Sequence, residues 1–445
     1  SKAGMGYSQF VFENYCYDEA AASLSLRYRF ADGPRFEEKL VFDFPPRALS
    51  GIEQTALDRI FRLIFLFSGV SYYKAFIPER LVCEAFPVDP DTASLVGRFY
   101  ENGLAELAWR NRVALRVRLR PDAVAPASPI ALDLPRLTCV PVGGGKDSVV
   151  TLECLKRVSE PLVLFSLGDA APIAACIAVS GLPSFRVYRR LDRAILALNE
   201  AGALNGHVPI TGILSAIALA CAVLFGFDAI AMSNEHSASA PNLVSNGVPV
   251  NHQFSKSLEF EADFSEYVAR HISPDIAYFS LLRPLSELEI ARRFASCSQY
   301  FDSFRSCNTA FRQAAAERGK TWCGDCPKCR FVFLALAPFI GKSDLIRVFR
   351  RDLLDDGAQT PGFGALCGLA EHKPFECVGE ISESAAAMAH LGRGPDWRDD
   401  IVVRRLHDAF PALRQKGAGD LSALLVARHP HRVPDRFRAM LDASG

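Results

Sequence analysis

Three consecutive glycines, Gly143, Gly144 and Gly145, stand between a short apolar run, Leu137 to Val142, and a helix-like segment, Ser148 to Val158. Without a Cβ, glycine lets the chain turn tightly and approach a ligand, and the helix behind it presents unpaired N–H groups and partial positive charge. The junction opens a region in which strands and helices alternate. Leu162–Leu167 and Ser184–Leu191 read as strands, Pro209–Phe225 as a long apolar helix, and Asp228–Ser233 and Ile276–Leu282 as further strands. This rhythm predicts an α/β fold with a parallel sheet covered on both faces.

The flanks read differently. Leu24, Leu26, Tyr28 and Phe30 alternate with polar residues, Asp32-Gly33 supplies a turn, and Phe36 to Phe44 returns, so a hairpin is expected, followed by a mostly buried helix over Ala56–Phe67. Arg116, Arg118 and Arg120 fall on one face of an expected strand, which either meets solvent or holds an anionic substrate. The Pro- and Ala-containing stretch Arg120–Pro129 reads as a connection. These shifts divide the chain into an α+β N-terminal domain over 1–130, an α/β core over 131–340 and a mainly helical C-terminal region over 341–445. The last has helical stretches around Asp344–Leu354 and Asp399–Lys416, a basic run at Ile346–Asp352, and no motif of catalytic type.

Lysine plus arginine balance aspartate plus glutamate at 50 each, which gives no support to a nucleic-acid or membrane-surface partner. The apolar stretch Ile213–Met232 contains Gly226 and Asp228 and reads as a buried helix running into a strand, not a membrane span. No export signal is read at the N-terminus. Thirteen cysteines, an odd number in a large chain, fit a reducing cytoplasm better than a disulfide framework.

A Walker loop would need glycine at position 140, which is Val140, and a dinucleotide fingerprint would need it at 148, which is Ser148. Two readings of the triplet remain: a phosphate cradle completed by the Ser148 hydroxyl, or a tight turn capped by Asp147. Gly144, Gly145, Asp147 and Ser148 resemble the Ser-Gly-Gly-x-Asp-Ser loop of the PP-loop ATP pyrophosphatase superfamily, with Gly143 in place of the leading serine. The resemblance implies an adenine nucleotide α-hydrolase-like core that splits ATP between its α- and β-phosphates.

Cys307, Cys323, Cys326 and Cys329 form a second signal, C-x15-C-x2-C-x2-C. Four thiolates at such spacing suit tetrahedral zinc in a structural role, with an iron–sulfur cluster as the chemical rival. Together with the Pro-Leu segment Leu281–Ile290, this knuckle resembles the C-terminal part of 7-cyano-7-deazaguanine synthase.

Between these signals lies a polar loop carrying Ser233, Asn234, Glu235, His236, Asn251, His252, Gln253, Ser255 and Lys256, where a parallel sheet places its ligand loops. Taken whole, "VPVGGGKDS", "SNEHSAS", "NGVPVNHQFSKSLEFE" and "WCGDCPKCRF" resemble the ATP-dependent UDP-N-acetylmuramoyl-L-alanyl-L-glutamate epimerase family. The resemblance implies ATP, Mg²⁺ and structural Zn²⁺ as cofactors and a UDP-muramoyl dipeptide as substrate. It also implies epimerisation through an acyl-adenylate. Gly143, Gly144, Gly145 and Ser148 would then hold pyrophosphate, Lys146 would neutralise its charge, and Asp147 would hold Mg²⁺ or the loop. Glu235, His236, His252 and Lys256 are the candidates for proton transfer. The arginine face or the basic run is a candidate for the anionic substrate. The rivals are another adenylating enzyme, such as a nitrile or amide former, and a non-catalytic ATP sensor.

Overall fold

The computed structural model describes residues 6–311, 321–370 and 372–442. Its strands, in chain order, are β1 (Gln9–Asp18), β2 (Ser23–Phe30), β3 (Arg35–Asp43), β4 (Arg80–Cys83), β5 (Arg118–Leu119), β6 (Thr138–Pro141), β7 (Leu162–Leu167), β8 (Ser184–Arg190), β9 (Ala229–Met232), β10 (Leu243–Ser245), β11 (Val248–Val250) and β12 (Ala277–Ser280). Ten of them form one sheet in the order β12-β9-β6-β7-β8-β3-β2-β1-β4-β5. The β12 to β8 half is parallel throughout, as the strand and helix alternation predicts. The fold is thus mixed α/β with a large, mostly parallel sheet.

Strand β8 pairs antiparallel with β3, Phe42 opposite Val187, so the N-terminal hairpin continues the core sheet across residue 131. Successive residues of the central strands enter opposite cores. Cys139, Val163 and Ile230 pack with the helices Gly51–Ser68 and Ile210–Cys221. Val140, Leu164 and Ala231 pack on the other face with Lys146–Arg157, Glu287–Ala295 and Pro327–Leu336. Burying each large side chain contributes roughly 1.5–3 kcal/mol, which fixes the strand ends that carry the site.

The apolar stretch expected to run from helix to strand does so: Ile210–Cys221 gives way to a wide turn at Ala222–Gly226 and then to β9. No helix among the described residues is long and apolar enough to cross a membrane. No disulfide joins any of the cysteines. The expected arginine strand shrinks to β5, whose pairing with β4 is limited to Arg118 opposite Arg80 and Leu119 opposite Leu81. Arg118 lies exposed and pairs with Glu79 at 2.7 Å.

Candidate active site

A cleft of about 480 Å³ opens at the C-terminal ends of β6 and β9. Its walls come from five separated stretches of chain: Gly143, Gly145, Asp147 and Ser148; His207, Ile210, Thr211 and Leu214; the loop after β9; Ser306, Asn308 and Lys328 around the cysteines; and Glu376 and Cys377. A parallel sheet splays its loops at this edge, which is why residues remote in sequence meet there.

Gly145 is the N-cap of the helix Lys146–Arg157, and no side chain caps it. Asp147 does not fill that role, so the capped-turn reading is set aside: its carboxylate accepts from Lys146 Nζ at 2.6 Å. The first-turn amides are left for a ligand. Beside them the Ser148 hydroxyl is buried, lines the cleft and has no hydrogen-bond partner. An orphaned buried hydroxyl is costly unless something occupies the site, and a phosphate oxygen fits it. Gly144 adopts φ +87°, the left-handed region, and Arg305 N–H donates to its carbonyl at 2.7 Å.

Lys146 lies beneath the glycine turn and not along the cleft. It is buried between Asp147 and Glu287, with Phe331 under its ammonium at 6.0 Å. Burial opposes its charge, yet the two carboxylates hold it above the ordinary lysine range. Burial pushes Glu287 above the usual carboxylate range, with Lys146 opposing. Asp147 is likewise burdened by burial, but Lys146, Lys328 and Lys256 hold its carboxyl below its usual value, so an anion faces the cleft beside the cradle.

Of the four proton-transfer candidates, His252 and Lys256 line the cleft. Glu235 instead caps the short turn His236–Ser239, accepting from Ala238 N–H at 3.1 Å and Ser237 Oγ at 2.7 Å. His236 stacks on His429 at 3.4 Å and sits 3.6 Å from Glu380. Arg283, fully buried, donates to the carbonyls of Glu235 (2.8 Å) and Lys256 (2.7 Å) and so staples the two ends of the polar loop. None of Arg116, Arg118, Arg120 or the basic run lines the cleft; Arg347 pairs with Asp302 at 2.7 Å.

Sequence reading missed Cys377, which no period or motif marks. Lys256 Nζ lies 3.4 Å from its sulfur. Burial would push this thiol up, but Lys256, His252 and Lys328 together bring it well below the usual thiol range. Lys328 was findable from its place inside the cysteine knuckle; its Nζ donates to the Cys377 carbonyl at 2.5 Å.

His252 Nδ1 lies 2.6 Å from Glu106, and its ring stacks on His207 at 3.9 Å. Burial opposes its charge, but Cys377 and Glu106 raise it to about 9, while burial and His252 itself push His207 down to about 3. A raised histidine stabilises the fold fully below its unfolded value of about 6.5 and ceases to do so as pH rises through its folded value. His252→Gln should therefore cost on the order of 3 kcal/mol in denaturant unfolding at pH 6, and the gap from the parent should close between pH 6.5 and about 9. A gap independent of pH would contradict the charged assignment.

The sulfur atoms of Cys307, Cys323 and Cys329 lie within 4.8 Å of one another, those of Cys323 and Cys329 being 3.5 Å apart. Cys326 adjoins Cys307 and Cys329 and caps the helix Pro327–Leu336 by accepting from Cys329 N–H at 3.3 Å. Gly324 N–H points at the Cys329 sulfur at 3.3 Å. Three of the four expected cysteines, Cys307, Cys323 and Cys329, are thus close enough to share one metal ion, while Cys326 is not grouped with them.

Comparison with known proteins supplies the family. Residues 2–281 match the MurL N-terminal domain and residues 303–420 the MurL C-terminal domain. The chain belongs to the MurL family. Three curated relatives of the family carry the name UDP-N-acetyl-alpha-D-muramoyl-L-alanyl-L-glutamate epimerase. The Salinispora tropica protein is 44% identical over 96% of this chain and 94% of its own length. Those of Micromonospora sp. and Xanthomonas oryzae pv. oryzae are 43% and 41% identical, each over 97% of both chains. In this MurL family member the cleft takes walls from both matched segments: Gly143, Gly145, Asp147, Ser148 and Lys256 from the first, Lys328 and Cys377 from the second.

Proposed function

We propose that this chain inverts the terminal L-glutamate of UDP-N-acetylmuramoyl-L-alanyl-L-glutamate to the D form at the expense of ATP. The observation that carries the reading is one cleft in which a glycine turn with an unpartnered Ser148 hydroxyl faces a cluster of acid–base groups, His252, Lys256 and Cys377. Near full-length identity to relatives named for that epimerisation supplies the substrate.

The chemistry needs both halves. Removing the α-proton beside a free carboxylate would place a second negative charge next to the first. When the carboxylate oxygen attacks the α-phosphorus of ATP, pyrophosphate leaves and the acyl-adenylate no longer carries that charge. Its carbonyl can accept enolate character. Proton return to the other face and hydrolysis of the acyl-adenylate then give the D-glutamyl product and AMP.

In this reading the amides of Gly143 to Ser148 and the Ser148 hydroxyl cradle the pyrophosphate. Lys146 holds Asp147 and the underside of the turn, and does not itself reach the phosphates. Asp147 would hold Mg²⁺, which when bound neutralises phosphate charge. Cys307, Cys323, Cys326 and Cys329 would hold Zn²⁺ with no position left for water, so its part is to fix the helix that presents Lys328. A reducing cytoplasm suits these thiols.

The acyl-adenylate is tested by exchange of labelled pyrophosphate into ATP. Exchange should require the L-glutamyl dipeptide substrate and Mg²⁺. Absence of exchange together with ongoing epimerisation would remove the adenylate from the account.

A further inference from the structure

Within the cleft, the three groups best placed for proton transfer differ in whether they own a free electron pair. His252 has Glu106 2.6 Å from its Nδ1, and Cys377 and Glu106 together outweigh burial and favour its charged form, which has no lone pair to accept a proton. Lys256 points its ammonium at Cys377 from 3.4 Å and has no lone pair either. The Cys377 sulfur is the acceptor on which both cations converge. Its carbonyl is held from behind by Lys328, on the first turn of the helix that leaves the cysteine knuckle, so the sulfur is fixed at the cleft wall from two sides.

Three buried cysteines show the contrast. Cys139, Cys176 and Cys221 are buried, and burial pushes their thiols up. Cys377 is half-buried and surrounded by cations, the environment in which a thiol reacts as its anion.

We propose that Cys377, as the thiolate, is the base that takes the α-proton of the activated glutamyl residue. The assignment rests on the epimerase reading above. In the step, the Cα–H bond breaks, an S–H bond forms on Cys377, and the C–H electron pair moves into the carbonyl of the activated carboxyl as an enolate. Lys256 and Cys377 touch, so they approach Cα from the same side and cannot serve opposite faces. The proton for the inverted face comes from water in the cleft. The hydroxide left behind takes the proton from the Cys377 thiol, and the thiolate returns with no net change. His252 and Lys256 act here as positioning residues that keep the sulfur anionic.

The test uses the full chain as Cys377→Ala and Cys377→Ser, with melting temperature and bound metal confirming the fold. Two readouts are taken on each: dipeptide-dependent pyrophosphate exchange, which needs both substrates bound but not the base, and inversion of glutamate with deuterium uptake from D₂O, which needs the base as well. A general base contributes roughly 10²- to 10⁴-fold, so inversion should fall at least about a hundredfold while exchange stays within about threefold. In Cys377→Ser, an α-deuterated substrate should show a larger isotope effect than in the parent, since proton removal becomes slower than adenylation.

Inversion within about threefold of the parent in a folded variant would overturn the assignment, as would equal loss of exchange and inversion. If neither variant folds, the parent chain still decides. At neutral pH, iodoacetamide should label Cys377 faster than the exposed Cys16, read by peptide mass spectrometry, and substrate with ATP should protect it. Labelling no faster than Cys16 would overturn the proposal. A parent chain that shows neither exchange nor inversion would defeat the epimerase reading itself, whereas a parent with both and an unimpaired Cys377→Ala would defeat only the role of Cys377.

Discussion

Gly144→Ala is expected to lower dipeptide-dependent pyrophosphate exchange by about a hundredfold or more, while Gly143→Ser keeps it. Gly144 holds φ +87°, a conformation that costs an L-residue roughly 1–2 kcal/mol. Its added Cβ would also meet Pro172 Cβ at 3.0 Å, the Ile173 backbone nitrogen at 3.2 Å and Phe311 at 3.3 Å. Backbone cannot yield as a flexible side chain does, so the turn and its amide donors must move. A displacement of about 1 Å at a reacting centre is enough for a hundredfold loss. At Gly143 a new Cβ meets nothing within 4 Å, so serine fits there and adds a hydroxyl to the cradle. Exchange assays on both variants check the pair. An active Gly144→Ala would show that the turn does not carry the nucleotide.

The second large effect is expected at the cysteine knuckle. The purified chain should carry one zinc ion, and Cys329→Ser should lose it along with a fall in melting temperature on the order of 10 °C or more, because a structural zinc contributes its binding energy to folding. The knuckle is tied to its surroundings through Gly324. The carbonyl of this residue, at φ +71°, accepts from Gln359 at 2.7 Å and from Arg351. Loss of the metal should therefore also loosen Lys328 and the wall that holds Cys377. Elemental analysis with thermal melting decides the matter; iron with visible absorbance would replace zinc by a cluster, and a metal-free chain of unchanged stability would leave the thiols without a structural ion.

Much of this was legible in the sequence because it is periodic or local. Leu162–Leu167 is a strand with the bounds its apolar run implies, and the hairpin of β2 and β3 follows from alternation about Asp32-Gly33. The glycine turn and the cysteine spacing are local motifs whose chemistry depends on few neighbours. Long-range pairing was not legible. Nothing local in Phe42 announces that it will lie opposite Val187 and carry one sheet across the two regions.

The same limit explains the site. His252 and Lys256 gained attention from their shared loop, but so did Glu235 and His236, and only the fold separates the first pair from the second. Lys146 reads as a phosphate ligand from its place beside the glycines, yet Glu287, from a distant helix, draws it beneath the turn. Cys377 belongs to a stretch with no motif and becomes a candidate base only because Lys256 and His252 arrive from elsewhere. The arginine face kept its alternation, with Arg116, Arg118 and Arg120 all exposed, but its strand is only two residues long because β4 alone pairs with it.

The central claim is ATP-driven inversion in this cleft. The most direct test incubates the chain with ATP, Mg²⁺ and UDP-N-acetylmuramoyl-L-alanyl-L-glutamate in D₂O, followed by chiral analysis of the glutamate, mass spectrometry and an AMP assay. The account predicts D-glutamate carrying one deuterium at Cα, formed together with AMP. AMP without inversion, or inversion that proceeds without ATP, would contradict it.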